Sequence, residues 1–185
     1  MSISPYPRRD LGTPAPLDPR PMSASHTVIS QVMLPNDANP MGNVHGGSIM
    51  QMADVATAVA AMRHSGRQVV TVALDHMDFQ QPAYIGDLIT ITSQVEYVGR
   101  TSMVVHATVE AENPTSGKKV LTSSCYFTLV ALTEEGRPIP VPPLLAETPE
   151  EQARMKNAER VYQHTKDERA REATDRGRRG ATGDE

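Results

Sequence analysis

The feature that most constrains the fold is a run of three segments, over residues 88 to 132, in which apolar and polar residues alternate. The segments read LITITSQVEYV, TSMVVHATVEAE and KKVLTSSCYFTLVAL. A period of two places alternate side chains on opposite faces of a β-strand. Turn signals at Gly99-Arg100 and around Asn113 to Gly117 separate the segments. The pattern therefore predicts an antiparallel meander with one apolar face. In its first strand that face consists of Ile89, Ile91, Val95 and Tyr97.

A single helix is predicted ahead of the meander, beginning at Gly46. The stretch GGSIMQMADVATAVAAMRHSG has apolar residues mostly three and four positions apart, and Gly66 is a stop signal. Its many alanines let other elements approach closely, which favours a central helix enclosed by a sheet. With further strands predicted at His26 to Leu34 and Gln68 to Phe79, the order is strand, helix and four strands. This order predicts an α+β domain with one helix on an antiparallel sheet.

Composition excludes several classes of protein. The chain has 185 residues, of which 38% are hydrophobic, and no apolar run approaches the roughly 18 to 20 residues of a spanning helix. We expect a soluble protein without membrane insertion. The N-terminus has no apolar stretch after its arginines, so it is not a secretory signal, and we expect a cytoplasmic location. The single Cys125 agrees with a reducing compartment. A net charge of −4 argues against nucleic-acid binding.

Prolines and charges set the expected domain boundaries. Two Pro-rich stretches bracket the centre, and proline disfavours both strand interiors and helices. The sequence Thr148-Pro149-Glu150-Glu151 has the threonine cap, early proline and glutamate of a capping box, so a C-terminal helix begins there. We predict a mobile segment at 1–24, a compact domain at 25–133, an extended linker at 134–148, a lightly packed helix at 149–172 and a disordered tail at 173–185.

The most informative loop lies between the first strand and the helix, with the sequence PNDANPMGNVHGGS over residues 35 to 48. Gly46 and Gly47 open the helix, so its unpaired N–H groups and its dipole can receive a carbonyl or phosphate oxygen. The alternative is that these glycines only permit close packing of helix against sheet. Patterns for a P-loop or for dinucleotide binding are absent, which disfavours a mononucleotide site.

Asp54 lies in the middle of the predicted helix among apolar neighbours, where an unpaired buried charge is costly. An outward-pointing aspartate is the ordinary explanation, but the helix offers almost no other charge to form a solvated face, so we favour a functional role. Asp54 should lie about 12 Å along the helix from Gly46, with Asn43 beyond that end. Asn43 and Asp54 therefore meet one reacting group only across a two-fold axis, which predicts an obligate dimer with two sites.

Other reactive side chains give weaker signals. His45 follows the loop asparagine and is a candidate for orienting a group, whereas His106 on a polar strand face is expected to be exposed. No HExxH motif or paired His and Cys spacing exists, so no metal is predicted. Cys125 is expected in the core rather than as a nucleophile, because nothing places a base beside it. Asp75 and Asp78 resemble a carboxylate pair, although solvation explains them more simply.

Several of these motifs together resemble the hotdog-fold acyl-CoA thioesterases, specifically the cytosolic acyl-CoA hydrolase group. The resemblance covers about His26 to Lys166. It is carried by DANPMGNVHGG at 37 to 47, the helix through Asp54, VTVALD from 70, MDF at 77 to 79, Pro82, IGD at 85 to 87, VPP at 141 to 143 and RVY at 160 to 162.

The resemblance implies a single hotdog domain, in which a curved antiparallel sheet wraps the central helix. It also implies that two such units pair with continuous sheets, and that dimers stack into a hexamer, a trimer of dimers. Asn43 of one unit and the acid Asp54 of the facing unit would form the site. The thioester carbonyl would lie near Gly46 and Gly47, with Asp54 acting as general base or as nucleophile.

The turn at Gly99 to Ser102 resembles the segment of the family that contacts CoA. On this basis the candidate CoA-binding residues are Arg100, Thr101, Ser102, Arg160 and Lys166. Coenzyme A belongs to the substrate and product, and no separate cofactor or metal is expected. Two other functions of the fold stay open, namely an acyl-thioester hydratase and a non-catalytic acyl-CoA sensor. The preferred acyl chain length cannot be read from the sequence.

Overall fold

The computed structural model describes residues 17 to 180 of the chain. Residues 1 to 16 of the segment predicted to be mobile, and the last five of the predicted tail, lie outside this range. The strands are β1 (Arg20–Pro21), β2 (Thr27–Val32), β3 (Gln68–Phe79), β4 (Leu88–Val98), β5 (Ser102–Asn113), β6 (Lys118–Leu132) and β7 (Leu144–Leu145), and the helices are α1 (Gly46–Ser65) and α2 (Pro149–Gly180).

Five of the strands form one antiparallel sheet in the order β2-β4-β5-β6-β3. This arrangement confirms the predicted meander and leaves β2 and β3 as the two edges. The helix α1 packs on one face of the sheet, where its alanines bring the helix axis close to the strands. The fully buried residues of this contact are Ala53, Ala56, Ala60, Ile89, Ile91, Val95, Val105 and Ala107. The predicted α+β fold with a helix on an antiparallel sheet is thus confirmed.

Local signals set both ends of α1. The ring of His45 caps its N-terminus, and Gly66 ends it in the left-handed conformation at φ +65°, a backbone state that glycine adopts at little cost. The predicted helix start and stop are therefore both confirmed.

The second helix, α2, lies on the opposite face of the sheet. Its N-terminus has the predicted capping box, since the Thr148 hydroxyl accepts from the Glu151 N–H and the Glu151 carboxylate accepts from the Thr148 N–H. The helix continues to Gly180, further than Glu172, where the sequence signals ended. Ala158 is fully buried against the sheet, while the ring of Tyr162 lies 5.2 Å from that of Tyr97.

The predicted apolar face of β4 is wrong at Tyr97, because the register between β4 and β5 is broken at Glu96. The pairing skips from Val95 to Tyr97, so the strict alternation ends there and Tyr97 turns towards α2 instead of joining the apolar face against α1. His106 is also not freely exposed as predicted, because it lies half-buried against Glu96 and the ring of Tyr126.

The Pro-rich stretch between the sheet and α2 is fixed to the domain at several points. Its short strand β7 pairs in parallel with β1, and the Val141 N–H donates to the Arg100 carbonyl. The Nε2 atom of the buried His64, near the end of α1, lies 2.9 Å from the Pro142 carbonyl oxygen. Within the described range, neither helix is both long and apolar enough to cross a membrane.

Candidate active site

Asn39, a residue that the sequence analysis did not single out, organises the loop before α1. Its backbone N–H donates to the Asn43 carbonyl at 2.7 Å, and its side-chain Oδ1 accepts from the N–H groups of Met41 and Asn43. Gly42 closes the turn at φ +84°, where a side chain would be strained. These contacts engage the carbonyl end of the Asn39 amide, while its Nδ2 donates to none of the residues that the structure describes.

Asn43, the predicted site residue, is half-buried in the same loop. Its backbone forms an antiparallel bridge with Tyr84, which ties the loop to the segment leading into β4. Its side-chain amide makes no hydrogen bond within residues 17 to 180. Two side-chain amides of this loop are thus available as donors ahead of the helix N-terminus.

The N-terminus of α1 differs in detail from the simple picture of two free glycine amides. The His45 Nδ1 atom accepts from the Gly47 N–H at 3.0 Å, so His45 caps the helix end. The Gly46 N–H has no acceptor among the described residues. A side chain at Gly46 would come within 3.2 Å of the Phe79 ring, so glycine is needed there for close packing as well. Of the two amides, Gly46 offers the unoccupied donor.

Asp54 is half-buried near one edge of the sheet. Its Oδ1 accepts a 2.6 Å hydrogen bond from the Thr71 hydroxyl of β3, and its Oδ2 has no partner in the described part of the chain. A hydrogen bond to an ionised carboxylate is short and comparatively strong, so Thr71 holds the carboxylate in one orientation. Thr71 was not predicted from the sequence. The sequence signal that could have pointed to it is a hydroxyl residue two positions after Val69, on the same face of the predicted strand.

The surface around Asp54 has the character of a subunit interface. Within residues 17 to 180, the edge strand β3 has a hydrogen-bonded neighbour only on its β6 side. Exposed apolar side chains lie along this edge and on the adjoining helix, and they are Val55, Met62, Val70 and Leu74. An unpaired strand edge bordered by apolar side chains is a surface that a second chain can cover.

The predicted CoA-binding residues fall into separate places. A cavity of about 210 Å³ between the sheet and α2 brings together Thr101, Ser102 and Lys166, with Arg169 beside them. The buried Thr128 hydroxyl also lines this cavity and has no hydrogen-bond partner within the described range. Two cations and several hydroxyls suit an anionic ligand such as phosphate.

The remaining two candidates lie elsewhere. Arg100 is exposed on the β4–β5 turn, and Arg160 lines a second cavity of about 530 Å³ on the other flank of α2, together with Asp75 and Asp78.

The other candidate groups are accounted for structurally. Burial raises the pKa of the Cys125 thiol to about 12, which makes it a core residue and not a nucleophile at neutral pH. The exposed His76 Nε2 lies 3.3 Å from a carboxylate oxygen of Asp78 at the end of β3. Within residues 17 to 180, no three His, Cys, Asp or Glu side chains are grouped to hold a metal ion.

Comparison with known proteins places this fold in one class. The family model described as the thioesterase superfamily matches residues 41–118. An uncharacterised acyl-CoA thioester hydrolase of Bacillus subtilis is 35% identical over 127 residues, covering 69% of this chain and 74% of that protein. The acyl-CoA hydrolase of Staphylococcus aureus, solved with butyryl-CoA and CoA, has a TM-score of 0.80 at 30% identity, covering 87% of this chain and 98% of the other.

The chain belongs to the acyl-CoA thioester hydrolase family of hotdog-fold thioesterases. A hexameric acyl-CoA thioesterase has a TM-score of 0.78 at 33% identity, covering 83% of this chain and 98% of its own. The rat cytosolic acyl coenzyme A thioester hydrolase is 32% identical over 157 residues, which cover 83% of this chain. The chain spans 41% of the length of that mammalian relative.

Proposed function

We propose that the protein hydrolyses acyl-CoA thioesters in the cytosol, releasing free CoA and a carboxylic acid, at sites shared between two subunits. The observation that carries the proposal is the Asp54 carboxylate, oriented by Thr71 and held at an unpaired strand edge with one oxygen free. The family to which the chain belongs gives that carboxylate its chemistry, since its relatives are named for acyl-CoA thioester hydrolysis.

The spacing of three polar residues supports the composition of the site. Structures of the Staphylococcus aureus hydrolase were determined with alanine in place of one asparagine, one aspartate and one threonine. In that chain the asparagine precedes the aspartate by 15 residues and the threonine follows it by 17. Asn39, Asp54 and Thr71 have the same two separations. We therefore add Asn39 and Thr71 to the site and assign Asn43 a supporting position in the same loop.

Two copies of the chain are needed because, within one chain, the loop before α1 and Asp54 are too far apart to contact the same reacting group. Asp54 follows Gly46 by eight residues, which corresponds to about 12 Å along the helix. Pairing of two β3 edges around a two-fold axis would bring the loop of one subunit towards Asp54 of its partner, giving two equivalent sites. The exposed Val70 and Leu74 would be covered in this pairing. Three such dimers would form a hexamer like that of the related thioesterase.

In the proposed reaction the thioester oxygen lies at the Gly46 N–H, with amide donors from Asn39 and Asn43 nearby. Asp54 of the facing subunit takes a proton from water, and the water oxygen bonds to the carbonyl carbon. The carbon–sulfur bond then breaks, and the proton passes to the CoA sulfur. In the alternative route, an Asp54 oxygen attacks the carbonyl carbon, the carbon–sulfur bond breaks, and the CoA thiolate leaves and takes up a proton. Water then opens the resulting anhydride, which releases the carboxylic acid and restores Asp54. Single turnover in ¹⁸O-water distinguishes the two, because only the anhydride route allows label to enter Asp54.

The CoA end of the substrate is proposed to bind at the 210 Å³ cavity. Lys166 would pair with a phosphate, while Thr101, Ser102 and Thr128 offer hydroxyl donors to it. Arg100, exposed next to Thr101, would add only a weaker, screened attraction, and Arg160 lines the other cavity and takes no part in this contact. The proposed scheme uses no cofactor, because CoA belongs to the substrate and product. Replacing Lys166 with methionine should raise KM for acyl-CoA and leave kcat near the wild-type value.

The decisive experiment measures release of CoA thiol from short to long acyl-CoA esters by mixtures of two inactive variants. Asn39→Ala and Asp54→Asn should each be inactive alone. After co-expression in equal amounts, half of the dimers are mixed and each has one intact site, so activity should return to about a quarter of wild type. No recovery in proven mixed dimers would contradict the shared site. A wild-type protein that binds acyl-CoA without turnover would favour the sensor function instead.

A further inference from the structure

The edge strand β3 is held irregularly along the stretch that orients the candidate acid. Its register with β6 is broken between Thr71 and Ala73 and again between Asp75 and Asp78. Between these breaks the ladder of hydrogen bonds is short, and the other side of the strand has no neighbour in the sheet. Edge strands with bulges have few restraints of their own, so they open more readily than central strands. Thr71, the partner of Asp54, is the last residue before the first break.

Two side chains of α2 hold this same stretch from the opposite face of the sheet. The Arg169 guanidinium donates to the Val72 carbonyl, which belongs to the residue skipped by the first register break. The hydroxyl of Thr165, itself buried, hydrogen-bonds the Asp75 carboxylate just before the second break. The contacts therefore lie one and four residues after Thr71, and they span the irregular segment.

The rest of α2 is anchored to the more central strands. Arg154 contacts Gln94 and Glu96 of β4, and Asn157 donates to the Tyr126 hydroxyl of β6. Ala158 is fully buried in between. The helix thus connects the well-paired middle of the sheet to its irregular edge, and it can transmit the rigidity of the former to the latter.

We infer that Arg169 and Thr165 are positioning residues for the hydrolytic site, acting through β3 and Thr71 on the carboxylate of Asp54. The inference rests on the proposed function for its effect on turnover. Arg169 fixes the carbonyl of the residue next to Thr71, and Thr165 fixes the strand after the first break. With both contacts made, the Thr71 hydroxyl stays in reach of Asp54; without them, the carboxylate loses its fixed orientation. Small displacements of a reacting group cost large factors in rate.

The test replaces each residue with an apolar one that lacks the donor and compares it with a conservative replacement. Arg169→Met and Thr165→Val should lower kcat on the order of 10-fold, because the reacting geometry is loosened but no reacting group is lost. Arg169→Lys and Thr165→Ser keep a donor and should restore most of the rate. Arg171→Met removes the same charge from an exposed position of the same helix and should match wild type.

Hydrogen–deuterium exchange provides a readout that is independent of turnover. In Arg169→Met and Thr165→Val the amides of residues 72 to 75 should exchange faster, while exchange in β4 and β5 and the midpoint of thermal unfolding stay close to wild type. A general loss of structure would instead raise exchange throughout the sheet, and this outcome would overturn the inference.

Arg169 and Thr165 also line the 210 Å³ cavity proposed for the CoA end of the substrate, so the kinetic constants must be separated. A rise in KM with unchanged kcat and unchanged exchange would make the replaced residue a substrate-binding residue and overturn its positioning role. If wild type itself hydrolyses no acyl-CoA, the proposed function fails, but faster exchange limited to residues 72 to 75 would still support the hold of α2 on β3.

Discussion

The two helices cross opposite faces of one sheet and are attached to it in different ways. The contact of α1 is built mainly from small apolar residues, with Ala53, Ala56 and Ala60 completely buried. The contact of α2 depends on separate polar pairs, such as Arg154 with Glu96 and Thr165 with Asp75. The first contact excludes water over a broad area, whereas the second holds the helix at discrete points.

This difference indicates a division of work between the faces. Broad apolar packing is cooperative and costly to disturb, so the α1 face supplies most of the stability of the domain. Single polar contacts contribute little each, but they fix positions, so the α2 face is suited to orienting β3. Asp54 is the exception on the α1 face, where a half-buried acid lies among apolar residues. Changes that stress each face should therefore have different effects.

The largest expected effect comes from Asp54, the half-buried acid on the α1 face. Asp54→Asn should lower kcat for acyl-CoA hydrolysis by about 10²- to 10⁴-fold, the usual contribution of a general base. Thr71→Val should cost less, since it leaves the carboxylate and removes only its hydrogen bond. Steady-state thiol release measures both, with Asp167→Asn on the exposed side of α2 as the control. Equal rates for wild type and Asp54→Asn would remove Asp54 from the mechanism.

The next largest effect is expected on the free energy of unfolding, when two adjacent valines of β5 that point to opposite faces are replaced. Val104 and Val105 are both fully buried, but only Val105 belongs to the core that includes α1. Val105→Ala should lower the free energy of unfolding by about 2 to 3 kcal/mol, combining lost burial with a cavity that cannot close. Val104→Ala should cost about 1 kcal/mol, because the less tightly packed α2 face can relax around it. Urea unfolding measures both; equal losses would contradict the comparison.

Sequence patterns predicted the α1 face well because its signals are local. The flanking strand predicted from Gln68 to Phe79 coincides with β3, and Gly66 ends α1 as predicted, so both expectations are confirmed. The prediction for Tyr97 was wrong because β4 has one extra residue at Glu96. This bulge reverses the alternation and moves Tyr97 to the other face. The polar contacts of α2 join residues far apart in the chain, so no local period reveals them.

The candidate site follows the same rule. Asp54 was predicted because a lone acid in an apolar helix is a visible anomaly in the sequence. Thr71 was not, since its role depends on a hydrogen bond between residues 17 positions apart. Asn39 precedes a proline and a glycine turn, a setting in which asparagine often hydrogen-bonds nearby backbone. That signal was available, but Asn43 lies in the same loop, and no local pattern chooses between them. The proposed choice of Asn39 depends on the residue spacing in the Staphylococcus aureus hydrolase.

A smaller effect is expected from the ionic contact of α2. The Glu96 carboxylate is almost fully buried, with Arg154 and His106 beside it and one oxygen without a partner in the described range. Arg154→Met would remove a cation near this buried group, so unfolding should become easier by about 1 to 2 kcal/mol. Lys156→Met, an exposed change nearby on α2, should be neutral. If both variants unfold like wild type, Glu96 does not depend on α2 for its partner.

The smallest effect concerns the buried His64, which links the end of α1 to the segment leading to α2. Its Nε2 donates to the Pro142 carbonyl, and burial lowers the pKa of the ring below the ordinary 6.5, which favours the neutral form in the folded state. The unfolded chain therefore binds the proton more readily than the folded one. The resulting stability is complete above pH 6.5 and is lost as pH falls from 6.5 through the lowered pKa of the folded state.

The direction of this pH dependence predicts how the stability of His64→Gln should compare with that of wild type. Glutamine at position 64 can still donate to Pro142 but does not titrate, so the stability advantage of wild type over His64→Gln should shrink between pH 7.5 and pH 5.5. Urea unfolding at the two pH values measures it, and an NMR titration of the His64 ring gives its pKa even if the variant folds poorly. A constant difference, or a ring that titrates at or above 6.5, would show that this junction between the two faces is open to water. In that case the junction at His64 would resemble the discrete polar contacts of α2 more than the dry apolar packing of α1.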